Sequence, residues 1–179
     1  MHFTYPLLGE VYPGEKIIFF YKGWLSQWTQ RIFYSSSVSS DVTSAEEAMM
    51  LYKALLFKDD ESFDLIRRAA GNPMEQKRLG RLVKGYDDKL WDEVKFKTIC
   101  KINYDKFSQA KEWRNTFLLT SAYELVEASP FDRIWGIGMA VGDPNLLNRL
   151  YWGQNLLGRA IAQARTLILD DEYMIGDKK

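Results

Sequence analysis

From Thr43 onward the apolar residues return at helical intervals. Ala45, Ala48, Met49, Tyr52, Leu55 and Leu56 form one stripe that runs to about Phe57. Such a stripe must be buried against another element, which commits the middle of the chain to helix packing. A second helix is expected over 61–70, ending at Gly71-Asn72-Pro73, where a left-handed cap residue precedes a proline that cannot continue the helix. A short helix over 74–83 and a break at Lys84-Gly85-Tyr86 come next. Asp87 or Asp88 then caps a long helix with Trp91, Val94, Ile99 and Ile102 on its apolar positions. Further helices are expected over 110–119 and after Asn155, which caps a stripe of Leu156, Leu157, Ile161, Ala164 and Ile168. Ahead of Thr43 the composition changes to aromatic and β-branched residues, so strands are expected over 16–21 and 30–34, with the serine run 35–40 as a loop. Residues 123–127 alternate as one more strand. The expected fold is mainly α: a single compact helical domain over 1–179, its core about 16–170, with a few short β-strands in the N-terminal segment and around 123–128.

Composition narrows the chemistry. Lys plus Arg equals Asp plus Glu at 24 each, so no global field favours nucleic acid or an anionic membrane. Cys100 is the only cysteine and His2 the only histidine, which excludes an internal disulfide and multi-cysteine metal cages. A Ser-His-Asp or Cys-His arrangement would have to recruit the chain's second residue. General acid and base work therefore falls to carboxylates, lysine or tyrosine. No apolar run approaches the roughly 18 residues of a spanning helix, and the N-terminus lacks a signal-peptide pattern, so a cytoplasmic protein without a membrane partner is expected.

Three places could carry function. Thr43-Ser44-Ala45-Glu46-Glu47 is a helix start in which one glutamate completes a capping box: Glu47 if Ser44 is the cap, Glu46 if Thr43 is. The other sits in the first turn, where the helix dipole favours its ionised form. Glu46, Met50, Lys53 and Phe57 share one face, with Glu46 and Lys53 about 10 Å apart by helical rise. That face either lines a cleft or is a solvated helix edge. The second place is Asp132-Arg133-Ile134-Trp135-Gly136-Ile137-Gly138, whose crowded glycines point to a backbone bent close to something. It is either a tight turn around a buried tryptophan or a wall of a pocket. The third is Gly153 with Asn155-Leu156-Leu157-Gly158, where the amides behind the cap could receive an anion. Trp24, Trp28 and Trp135 lie outside clear stripes and could stack on a heterocyclic base, although core filling is the commoner use. By periodicity Trp91 reads as core. Lys77, Arg78 and Arg81 form a basic cluster at helical spacing.

In order along the chain, Trp24-Leu25-Ser26-Gln27-Trp28, Ser44-Ala45-Glu46 with Met49-Met50, Lys53-Ala54 and Phe57, and Lys77 with Leu79-Gly80-Arg81 resemble the NADAR family, named for NAD and ADP-ribose. Trp91, Lys106-Phe107, Leu118-Leu119-Thr120, Glu127-Ala128-Ser129-Pro130, the 132–138 string and Asn155-Leu156-Leu157-Gly158 extend the resemblance over about 19–168. The chain departs from the family pattern at Gln27-Trp28, where Asn-Phe is usual, and at Glu47-Ala48, where Gln or His precedes an aromatic. Ala48 either widens a pocket or repacks the core.

The resemblance implies hydrolysis of an N-glycosidic bond between ribose and a nitrogen base or amine. Its substrate would be a phosphorylated ribosylamino-pyrimidine or an ADP-ribosyl adduct, with ADP-ribosylated nucleic acid within the same class. It implies catalytic Glu46 and Asp132, with Asp132 orienting the ribose or water or sharing the acid and base work. Trp91 and Trp135 would pack on the base or sugar, Lys53, Arg81 and Arg133 would meet phosphate, and Ser26, Gly136 and Asn155 would complete the substrate contacts. No metal or cofactor is called for. The competing expectations are a non-catalytic ADP-ribose or nucleotide binding module and an interaction protein with an exposed aromatic surface.

Overall fold

The computed structural model describes residues 3–5 and 9–176. His2 lies outside them. In chain order the elements are β1 (Phe3–Tyr5), β2 (Gly9–Tyr12), β3 (Ile17–Phe20), β4 (Phe33–Ser35), β5 (Ser40–Val42), α1 (Ala45–Leu56), α2 (Asp60–Arg68), α3 (Pro73–Gly80), α4 (Asp88–Ser108), α5 (Lys111–Leu118), β6 (Glu124–Glu127) and α6 (Leu156–Gly176). They group into two compact units, Gln27–Gln109 and a discontinuous one made of Met1–Ser26 with Ala110–Lys179.

Helices dominate, as their apolar stripes demand, but the chain is mixed α/β rather than purely helical. The correction comes from the strands. Ile17-Ile18-Phe19-Phe20 is buried at every position, as a central strand must be. In the discontinuous unit it pairs antiparallel with β2 and parallel with β6, giving the order β1-β2-β3-β6. Ile17 and Phe19 join Val126, Ala128, Ile137, Met139 and Leu146 in the core. Trp152 meets the Phe19 ring edge-on at 5.8 Å. Helix α6 lies against β6 with Gly158 at the contact, where a Cβ would stand 2.1 Å from Leu125 O. The buried Arg165 of α6 donates to Thr120 Oγ1 at 2.8 Å and to Tyr123 O at 3.1 Å, fixing the turn that leads into β6. Trp24 and Trp113 of the same unit stack face to face, centroids 4.4 Å apart and planes 4° from parallel.

In the unit Gln27–Gln109, α1 packs against α2, α3 and α4, while β4 and β5 pair antiparallel. Each helix start is capped by a short polar side chain. Ser44, Asp59, Asn72 and Asp87 accept from the amides of Glu47, Ser62, Glu75 and Leu90. Asp59 also accepts from Lys84 N at 2.8 Å with its second oxygen. A hydrogen bond from the Ser62 side chain, followed by the Lys84 amide, holds its carboxyl below the usual range.

Candidate functional site

The start of α1 settles which glutamate serves the cap. Ser44 Oγ accepts from Glu47 N at 3.1 Å, so Ser44 is the N-cap. Glu47 Oε2 accepts from Thr43 N at 2.7 Å and Thr43 Oγ1 at 2.5 Å, and its Oε1 pairs with Arg67 Nη1 at 3.0 Å. Glu47 is thus the capping carboxylate. Glu46 is a different kind of residue: 4% exposed, in the first turn, with its backbone N donating to Gln27 O at 3.0 Å. Gln27 is held in turn by Asn103 of α4, amide to amide at 3.0 and 3.3 Å. The helix dipole favours a charged carboxylate at this position. Ala48 is fully buried among core residues.

Farther along the same face, Lys53 Nζ stands 4.0 Å from the Tyr86 ring centroid and 6.0 Å from that of Trp91. Phe57 meets Tyr86 edge-on at 5.2 Å. Burial lowers the pKa of the Lys53 ammonium, Asp88 opposes that, and Arg81 adds to it. Burial and a hydrogen bond with Asp88 push the Tyr86 phenol up to about 12. The structure brings Lys53, Arg81 and Trp91 near one another, with Tyr86 and Asp88 beside them. In the sequence Tyr86 belongs to a break and Asp88 is one of two cap candidates. The signal was the Gly-Tyr-Asp-Asp string itself, in which Gly85, at φ 68°, turns the chain just ahead of the α4 cap. An anion entering here would meet the Lys53 ammonium beside the Tyr86 and Trp91 rings.

In the discontinuous unit, the 132–138 string is a hydrogen-bonded loop. Asp132 Oδ1 accepts from Ile134 N at 2.9 Å and Trp135 N at 2.8 Å, an Asx turn. Gly136 is buried, and a Cβ there would come within 2.9 Å of Glu127 O. The loop's carbonyls receive the chain entering α6: Arg133 O, Ile134 O and Trp135 O accept from Gln154, Leu156 and Leu157 at 2.7, 3.1 and 2.9 Å. The Leu156 and Leu157 amides, which could have received an anion at this helix start, are thus engaged by backbone. Asn155 stands immediately before α6, its O accepting from Arg159 N at 3.1 Å. With φ at 49° it turns its amide onto β6, donating to Leu125 O and accepting from Glu127 N, both at 2.9 Å. Arg133 Nη2 donates to Tyr151 O at 3.0 Å, and Trp135 is half-buried. Ser26 is half-buried, its N donating to Gly23 O. Trp28 is exposed, with Lys77 Nζ 5.9 Å from its centroid. Among the described residues no helix is long and apolar enough to cross a membrane.

Comparison with known proteins places these residues in a wider set. Residues 19–169 match the NADAR domain family. The chain is 35% identical over 144 residues to N-glycosidase R617 of Acanthamoeba polyphaga mimivirus, covering 78% of this chain and 84% of that one. It is 36% identical over 126 residues to Protein irg-1 of Caenorhabditis elegans, 69% of this chain and 59% of the nematode protein. Against the chloroplastic riboflavin biosynthesis protein PYRR of Arabidopsis thaliana it is 28% identical over 181 residues, 90% of this chain but 28% of the plant protein. The NMR structure of Escherichia coli YbiA superposes with a TM-score of 0.71 at 26% identity, covering 89% of this chain and 88% of that one.

Proposed function

The chain belongs to the NADAR domain family, and from that premise we propose that it is an N-glycosidase that releases a nitrogen base or amine from a ribosyl substrate. The substrate we propose is a phosphorylated ribosylamino-pyrimidine or an ADP-ribosyl adduct. The similarity to a viral N-glycosidase supports the reaction class. The observation that carries the reading is Glu46: a buried carboxylate in the first turn of α1, not the one used by the cap, on the helix face that also holds Lys53.

Breaking the C1–N bond sends its electron pair to the leaving nitrogen, which takes up a proton, and leaves positive charge on the ribose. A water then supplies the new C1–O bond. An ionised Glu46 stabilises that charge and accepts the proton of the water. Lys53 and Arg81 meet the substrate phosphate, while Trp91 and Tyr86 offer ring surface to the sugar or base. Asp132 enters the proposal as a second carboxylate, with Trp135, Arg133, Gly136, Asn155 and Ser26 as further substrate contacts.

Incubation with ADP-ribosylated nucleobases and with ribosylamino-pyrimidine phosphates, monitored for free base, tests the reading directly. Glu46→Gln is expected to lower turnover about 100-fold or more, with melting temperature and ligand affinity near wild type; full activity in that variant rejects the assignment. Tight binding of these compounds by the wild type without base release would mark a binding module instead.

A further inference from the structure

Gln76 of α3 has no exposed surface, and neither its Nε2 nor its Oε1 has a hydrogen-bond partner among the described residues. An amide buried with both ends unpaired carries the full desolvation penalty of the group. Where this one faces follows from the register of α3 along α1. Ahead of both helices, Gly71 N donates to Thr43 Oγ1 at 2.9 Å. Near the end of α3, a Cβ on Gly80 would stand 2.0 Å from Met50 Sδ. Beyond both helices, Lys84 N donates to Asp59 Oδ2 at 2.8 Å. The two helices therefore run side by side in the same direction. One turn back from Gly80 is Gln76, and one turn back from Met50 is Glu46, each on the same face as the residue it is counted from. Gln76 lies at the level of Glu46.

Resting on the glycosidase reading for what Glu46 does, we propose that Gln76 is the positioning residue of Glu46: its Nε2 donates to the carboxylate, holding it ionised and aimed, and its Oε1 accepts from a sugar hydroxyl of the substrate. A glutamine has three side-chain torsions to make that move, and a charged acceptor is the strongest partner an amide donor can find in a site shielded from water. The sugar hydroxyl would then satisfy the other end of the amide. The Nε2 bond to Glu46 operates in the free protein, and the Oε1 gains its partner when the substrate is seated.

Gln76→Met keeps the length of the side chain and removes the amide. Its melting temperature is expected to stay near wild type, because the loss of one amide–carboxylate bond is offset by deletion of the unpaired Oε1. In protein labelled at the glutamate carboxyl carbons, with Glu46 identified by its absence in Glu46→Gln, the Glu46 titration midpoint is expected to rise by about one pH unit in Gln76→Met. Turnover is expected to fall about tenfold, with the acid limb of the pH–rate profile moving in step. Gln76→Glu, which retains an acceptor but adds a second negative charge, is expected to raise the midpoint further. A Glu46 midpoint unmoved in the folded variants overturns the proposal. So does a loss of activity that only follows a loss of stability. If the wild type releases base from none of the substrates, the glycosidase reading fails, while the Glu46 titration in the free protein still decides the role of Gln76.

Discussion

A single buried cation makes the stability of this protein depend on pH. Lys106 of α4 is fully buried, and burial, aided by the charge of Arg31, brings its ammonium down to about 7. In the unfolded chain the same group titrates at about 10.4. Between those values the unfolded chain holds a proton that the folded chain has released, so stability rises with pH across the window and this contribution is flat below it. Urea midpoints measured from pH 7 to 9.5 are expected to climb in the wild type and to lose that slope in Lys106→Met. Asp132 offers a second test at this scale, because its Oδ1 holds two backbone amides. An asparagine oxygen can do the same, so Asp132→Asn is expected to melt near wild type while losing base release. Asp132→Ala should cost about 1–2 kcal/mol. Unfolding of the asparagine variant would reduce Asp132 to a structural role.

At the scale of elements, much was legible because the helices announce themselves twice, by apolar stripes and by caps. Ser44 and Asp87, each one of two cap candidates in the sequence, are the caps in the structure, while Asn72-Pro73, which the sequence suggests only as the stop of the preceding helix, opens α3. What the sequence did not disclose is short and polar or depends on distant partners. β5, Ser-Asp-Val, lies in and just after a serine run with no alternation to betray it, and β2 carries a glycine at its first position. Asn155 reads as a cap by composition, yet its amide bridges Leu125 and Glu127, some 30 positions away. Of the candidate site, the Lys53 face and Glu46 could be read from periodicity, while Tyr86 could not, because it stands in a turn. Close approach of elements gives the matching prediction. Gly158→Ala would drive a Cβ into Leu125 O, backbone that cannot yield, whereas Gly80→Ala meets the flexible end of Met50. The first is expected to cost about 2–3 kcal/mol in denaturant melts and the second far less, since side-chain rotation and a helix-propensity gain of about 1 kcal/mol offset the clash.

For the molecule as a whole, the chain's course matters more than its composition. One unit, Gln27–Gln109, is continuous, and α1 to α4 meet within it over short separations. The other is built from both flanks of the chain, and its sheet closes only when Ile17–Phe20 pairs in parallel with Glu124–Glu127. Such a pairing cannot be inferred from either segment alone, because a parallel partner leaves no local turn signal. This is why the sequence suggested isolated short strands where the structure has a four-stranded sheet. Parallel pairing at that separation also makes the discontinuous unit the slower one to assemble, since loop closure must precede the contacts that reward it.

The tryptophan pair of that unit turns this topology into something optical. Trp24 comes from the first flank and Trp113 from the second, and their indoles lie nearly parallel with centroids 4.4 Å apart. Two identical chromophores that close share their excited state, so the native protein is expected to show a bisignate exciton band in far-ultraviolet circular dichroism. Trp113→Phe should abolish that band and leave the helical signal in place. Followed in stopped flow, its appearance would time the moment at which the two flanks of the chain meet.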